Sequence, residues 1–169
     1  MSDIIFSTER LNVRQLTLKD LNDFYEMQSN PRVMLYVKPP LTFEKSKAEL
    51  MKFIAYYSNP DKFYKIWAVT KNTNNQFVGI CGIYQNQKSE YEIAYRLTES
   101  AWGNKYGSEI AASLIHYSQS KLNLKHLVAY VYKKNIPSVK ILEEHMNFVE
   151  ELILDPKEKI GLKYSIEKR

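Results

Sequence analysis

The sequence predicts a mixed α/β fold: one predominantly antiparallel central sheet flanked by helices, in the order β-α-α-β-β-β-α-β-α-β-β. Three observations predict it. Segments 63–71, 77–84 and 91–97 have strand length and apolar or alternating character, and short polar connections join them into a meander. Segments 18–29, 43–57 and 107–121 instead space their apolar residues by three and four, as helices do. A strongly apolar strand at 126–133 then leads into a further helix and a closing hairpin.

Each element has its own signal. Over 9–16, Leu11 and Val13 share one face and Leu16 closes the run, which reads as a strand. Thr17 can cap the next helix, with Asp20 in its first turn; Leu18, Leu21, Phe24 and Tyr25 recur at helical spacing, and Asn30-Pro31 ends it. A short apolar piece (33–37) and the breaker Pro39-Pro40 precede a second helix, with Phe43, Leu50, Phe53, Ile54 and Tyr57 on its apolar face. Asn72 to Asn75 suit the turn between the first two meander strands, and Gln85 to Ser89 connect the second to the third. In the helix over 107–121, Ile110, Leu114 and Ile115 face the core. After strand 126–133, Asn135-Ile136-Pro137-Ser138 opens another helix, because proline is tolerated in a first turn. Val139, Leu142 and Met146 form its stripe, and the last hairpin turns around Pro156 to Lys159.

Length and composition narrow the function. The 169 residues suit one domain spanning 1–169, and 44% hydrophobic with 25% charged residues is ordinary globular content. The opening residues turn polar too soon for a signal peptide, and no apolar run approaches the ~20 residues of a membrane span. Cys81, the single cysteine, lies in an apolar run and reads as a small buried hydrophobe; with disulfides excluded, a reducing, cytoplasmic setting is expected. His116, His126 and His145 are dispersed, without metal-ligand spacing, so no metal is expected. The net charge of +5 fits an anionic small molecule, but the basic residues do not cluster and no nucleic-acid motif stands out, which argues against a nucleic-acid partner.

The segment with the clearest chemistry is 101–109, which holds two of the five glycines, Gly103 and Gly107. It joins a strand to a helix. Such a turn offers unsatisfied backbone N–H groups and the positive end of the helix dipole, and glycine lets the backbone approach an anion closely. On these grounds it is a candidate phosphate cradle, although glycine is also used simply for turning.

The order strand, loop, helix, strand, followed by Asn135-x-x-Ser138, resembles the GCN5-related N-acetyltransferases, and within them the ribosomal-protein N-terminal acetyltransferases (RimJ/RimL-like) and their small relatives. Segments 8–16, 30–37, 77–83, 92–109 and 126–144 and the final hairpin carry the likeness. It implies acetyl-CoA as cosubstrate. Tyr95, Arg96 and Leu97 would hold the pantetheine arm through the backbone, and the loop of Trp102, Gly103, Asn104, Lys105, Tyr106, Gly107 and Ser108 would donate N–H groups to the pyrophosphate. Asn135 and Ser138 would lie near the thioester end. Two departures stand out. The family expects glycine where Lys105 stands; an ordinary backbone there, with the ammonium near the phosphates, is the favoured expectation. It also has glycine before the aromatic residue that corresponds to Phe148, where Asn147 could supply the left-handed conformation instead.

The implied reaction is direct attack of a neutral amine on the thioester, which needs a base, an oxyanion donor and a proton for the thiolate. A backbone N–H within 95–97 is the implied oxyanion donor, and Ser138 the hydroxyl near sulfur, with helix capping as its plain alternative. The tyrosine that many relatives use as acid corresponds to Leu142. Glu92 and Glu151 are the candidate bases. Deprotonating a lysine-like amine at pH 7 costs about 4–5 kcal/mol against about 1 for an α-amine, so an uncertain base favours an α-amine acceptor. Phe24, Met27, Tyr36, Trp67 and Tyr132 are candidate acceptor-lining residues, with core packing as the alternative for each. The acceptor is a peptide N-terminus or a small amine; a noncatalytic acetyl-CoA-binding module and a homodimer stay open.

Overall fold

The computed structural model describes residues 3–154 and 159–169. Strands β1 (Ile4–Ser7), β2 (Leu11–Gln15), β3 (Tyr64–Lys71), β4 (Phe77–Gln85), β5 (Tyr91–Leu97), β6 (His126–Tyr132), β7 (Asn147–Ile153) and β8 (Ile160–Glu167) form one eight-stranded sheet, ordered β1-β2-β3-β4-β5-β6-β8-β7. Helices α1 (Leu21–Ser29), α2 (Pro31–Met34) and α3 (Phe43–Tyr56) cover one face. Helices α4 (Tyr106–Ser120) and α5 (Ile136–His145) cover the other. Each face carries a core of its own. Leu16, Phe24, Met27, Leu50, Phe53 and Ile66 fill the first, while Leu11, Ile83, Ile93, Ile110, Leu114, Leu142 and Tyr164 fill the second.

Every strand pairing is antiparallel except β5 with β6, which is parallel and meets only at Glu92 and Val128. β5 pairs with β4 along its whole length, from Tyr91–Gln85 to Leu97–Gly79. Beyond Glu92, therefore, one edge of β5 is paired and the edge toward β6 has no strand partner among the described residues. The two strands part there.

Several elements differ from expectation. β1 is an additional strand, paired with β2, and Phe6 stacks on Tyr117 with centroids 5.0 Å apart. The helix expected from Leu18 begins as a 3-10 turn, Leu18–Asp20, in which the Thr17 N–H donates to Asp20 Oδ2 at 2.8 Å. Asn30 ends α1 but also starts α2, since its Oδ1 accepts the N–H groups of Arg32 and Val33. Asn147 is not left-handed: α5 ends on extended Met146 and the chain passes straight into β7. The last hairpin is formed by β7 and β8; Pro156 of its turn lies outside the described residues.

Candidate active site

β5 organises the site because its side chains alternate between the two faces. Ile93, Tyr95 and Leu97 point toward α4 and α5. Arg96 points the other way, where its Nη1–H donates to Gln28 Oε1 on α1, and Glu92 lies on this same face with Tyr84. Register across the sheet aligns Tyr64 with Tyr84 and Tyr84 with Glu92, giving a polar row over three strands. Rings of Tyr64 and Tyr84 stack at 4.8 Å.

Glu92 stands where β5 and β6 last meet. Burial raises its pKa, opposed by hydrogen bonds from Tyr84 and Asn86. Asn86 Nδ2 reaches Glu92 Oε2 and Glu90 Oε1, each at 3.2 Å. Neighbouring Glu90 behaves oppositely: burial pushes it up, but Lys163, Tyr130 and Asn86 hold it down to about 2. Two carboxylates two residues apart thus shift in opposite directions, Glu90 held down by its ion pair and Glu92 raised by burial.

Among the described residues the Arg96 guanidinium has no direct carboxylate partner. Its Nε is buried with no hydrogen-bond partner, and desolvation lowers its pKa. Gln28, itself fully buried, relays it to Glu49, which pairs with Lys38 at 2.5 Å. This chain of polar groups ties the strand to α1 and α3. Sequence reading gave Arg96 only a backbone role and did not single out Gln28, Glu49, Tyr64 or Tyr84. Polar residues interrupting otherwise apolar faces were the available signal.

On the other face, Tyr95 Oη lies 3.2 Å from Ser138 Oγ in the first turn of α5, bridging the opening between β5 and the β6–α5 connection. Burial pushes the Tyr95 hydroxyl up to about 12, with the Ser138 contact pulling the other way. Asn135 stands at the α5 N-terminus and its side chain makes no capping bond there.

At the far end of β5 comes the glycine loop. Gly103 (φ 78°) and Lys105 (φ 61°, ψ 19°) are both left-handed, and Lys105 sits immediately before α4. Lys105 thus adopts the conformation expected of glycine, not the ordinary backbone favoured from sequence. Asn104 Nδ2 braces the turn by donating to the carbonyls of Ala101 (3.0 Å) and Trp102 (3.1 Å). Gly107 serves packing: a Cβ there would lie 2.7 Å from Ile141 Cδ1 of α5. Trp102 is exposed, with the Arg32 guanidinium 5.6 Å from its ring centroid, and Arg32 in turn pairs with Glu99. Tyr106 is buried under Arg10, 4.6 Å from its ring. The Ser108 hydroxyl is taken: it donates to Glu144 Oε2 at 2.7 Å and lies 2.8 Å from His145 Nε2.

The remaining candidates fall elsewhere. Phe24 (0%), Met27 (1%) and Trp67 (2% exposed) are core residues; helix and sheet faces close over them, so they line no cleft. Tyr36 is half-buried, and so is Tyr132, which has the Lys159 ammonium 5.4 Å from its ring centroid. Glu151 lies on edge strand β7, exposed and paired with Lys133 at 2.8 Å. Two strands, β6 and β8, separate it from β5, so it does not join Glu92.

A half-paired strand edge, then a turn with two left-handed residues, then a helix N-terminus is a sequence of backbone donors that an extended chain ending in phosphates can satisfy. The sequence model described as "Acetyltransferase (GNAT) domain" matches residues 10–145. The chain belongs to the GNAT acetyltransferase family. The uncharacterized N-acetyltransferase p20 of Bacillus licheniformis is 30% identical over 155 residues, covering 90% of this chain and 86% of that protein. Among solved structures, a RimL ribosomal L7/L12 alpha-N-protein acetyltransferase with coenzyme A superposes with a TM-score of 0.83 at 14% identity, covering 98% of each chain. The spermidine N-acetyltransferase of Vibrio cholerae, bound to coenzyme A and spermine, gives 0.78 at 18% identity over 93% of this chain and 95% of that one. At these identities the structural likeness carries the fold; the family carries the N-acetyltransferase chemistry.

Among the described residues no group of histidine, cysteine and carboxylates could hold a metal ion, and no helix is long and apolar enough to cross a membrane.

Proposed function

We propose that residues 1–169 act as one acetyl-CoA-dependent N-acetyltransferase domain, related to the RimL-like branch, that acetylates a primary amine by direct attack, with a peptide α-amine favoured as acceptor. The observation that carries it is the parting of β5 from β6 beyond Glu92, leading into the left-handed turn before α4. In this reading the free backbone of Tyr95, Arg96 and Leu97 grips the pantetheine arm and the N–H groups from Trp102 to Ser108 grip the pyrophosphate. Asn135 stands beside the arm. The donor supplies a thioester carbonyl; the chain supplies the rest.

Glu92 acts as base from the α1–α3 face, directly or through water. Burial raises its pKa and makes it a stronger proton acceptor than neighbouring Glu90, and a backbone N–H within 95–97 receives the oxyanion. Tyr36, Tyr64, Tyr84 and Arg96 border the acceptor's approach, with buried Gln28 holding Arg96 from behind. A single candidate base favours an α-amine, whose deprotonation at pH 7 costs about 1 kcal/mol rather than about 4–5. One observation favours a second reading, a small polyamine: two carboxylates, Glu49 and Glu92, both act on Tyr64 on this face.

Thiol release from acetyl-CoA, followed with a serine-initiated peptide, a free amino acid and spermidine, separates these acceptors. Higher kcat/KM for the peptide supports the first reading and preference for spermidine the second. Binding of acetyl-CoA with no transfer to any amine would mean a noncatalytic module.

A further inference from the structure

We infer that the Tyr95 hydroxyl, braced by Ser138, is the hydrogen-bond donor to the departing coenzyme A sulfur. This rests on the donor lying along β5 as proposed above.

The first argument is a count of protons. Tyr95 and Ser138 each carry one O–H, and the single bond between them, at 3.2 Å, uses only one. Among the described residues neither hydroxyl has another hydrogen-bond partner, so one O–H is left over at the opening where β5 and β6 have parted. Neither residue is fully buried. With Ser138 donating to Tyr95, the spare proton is the phenolic one, and accepting a bond strengthens it as a donor.

The second argument is the strand's alternation. Glu92 and Tyr95 stand on opposite faces of β5, three residues or about 10 Å apart along the strand. A thioester in the gap would meet the amine and Glu92 from one side and offer its sulfur to Tyr95 on the other. Helix α5 has no tyrosine: Leu142, where the family resemblance puts one, is buried in the core. A strand hydroxyl takes up the place that a helix hydroxyl leaves.

The step balances without consuming the phenol. The amine's lone pair forms the N–C bond, the C–S bond breaks and its electron pair goes to sulfur. Glu92 takes the amine's proton and returns it through solvent to the thiolate. Tyr95 keeps its own proton. Its pKa of about 12 exceeds that of an ordinary thiol, about 8.5, by more than three powers of ten, so it donates a hydrogen bond and not the proton itself.

The test uses Tyr95→Phe and Ser138→Ala in the full chain with coenzyme A as probe, titrating the bound thiol by thiolate absorbance. A hydrogen bond to sulfur holds the bound thiol's pKa about one unit lower in the parent than in Tyr95→Phe, with Ser138→Ala between. Tyr95→Phe should lose on the order of 10²-fold in kcat, as when an oxyanion donor is removed, with acetyl-CoA affinity within about twofold. A purely structural Tyr95 would leave the bound thiol's pKa unchanged in both variants, and that result overturns the inference. If coenzyme A fails to bind the parent protein, the donor site itself is refuted, and this inference with it.

Discussion

Lys105 gives the sharpest prediction, because two separable terms meet at one residue. Its backbone is left-handed at φ 61°, ψ 19°, a conformation that costs a residue with a Cβ roughly 1–2 kcal/mol and glycine almost nothing. Lys105→Gly removes that strain but adds freedom to the unfolded chain, worth about 0.4–1 kcal/mol. The net expectation is about 0.5 kcal/mol of stabilisation, or about 1–2 °C in Tm for a domain of this size. The ammonium supplies the second term. Beside a pyrophosphate at the α4 N-terminus, an exposed cation contributes up to about 1 kcal/mol, or about fivefold in Kd, and salt screens it. Lys105→Gly should therefore melt higher without ligand and bind acetyl-CoA about three- to fivefold more weakly. Lys105→Asn tolerates the left-handed backbone without the charge and should show the same binding loss. Thermal unfolding and calorimetry at two salt concentrations read both terms. A lower Tm for Lys105→Gly would refute the strain argument, and unchanged affinity for both variants at low salt would refute the charge argument.

Other predictions follow from the same geometry. Glu92→Gln should lower kcat on the order of 10²-fold and flatten the acidic limb of the pH–rate profile, which in the parent falls as Glu92, its pKa raised by burial, takes up a proton. Asp20, 5% exposed, receives Arg14 at 2.7 and 2.9 Å; Asp20→Asn should cost about 2–3 kcal/mol, seen as a Tm lower by about 5–10 °C. Glu90 is held down to about 2 in the folded state, so its contribution to stability is present above the ordinary carboxylate range and lost as pH falls from about 4.5 toward 2. Acid denaturation of Glu90→Gln should show a shallower dependence over that window. Glu144 accepts the Ser108 hydroxyl in the first turn of α4, and Glu144→Gln should tighten acetyl-CoA binding severalfold by removing a negative charge near the phosphates.

The meander, both long α4-face elements and the glycine turn were legible because each is local: alternation, helical spacing and turn chemistry fit within a dozen residues. β1 was not. Four residues carry too little periodicity, and Ile4–Ser7 becomes a strand only by pairing with β2 and packing Phe6 on Tyr117. Trp67, Phe24 and Met27 were ambiguous for a related reason, since an aromatic or methionine at helix or strand spacing looks the same in a core as in a cleft. The proposed acceptor face depends on register: Tyr64, Tyr84 and Glu92 lie on three successive strands and become adjacent only when those strands pair. Gln28 and Arg96 likewise meet only when α1 lies on β5. Lys105 was visible as a departure, but its backbone angle is set by the turn between β5 and α4, and no side-chain pattern encodes it. Ser108 shows the converse: its position matched the family, yet α5 brings Glu144 and His145 to its hydroxyl.

The central claim is that the unpaired edge of β5 and the turn before α4 hold acetyl-CoA. Amide hydrogen exchange with and without acetyl-CoA tests it residue by residue. The account predicts new protection concentrated at 93–97 and 103–108, with the amides of β7 and β8 unchanged. Protection confined to other segments, or none at saturating acetyl-CoA, would contradict it.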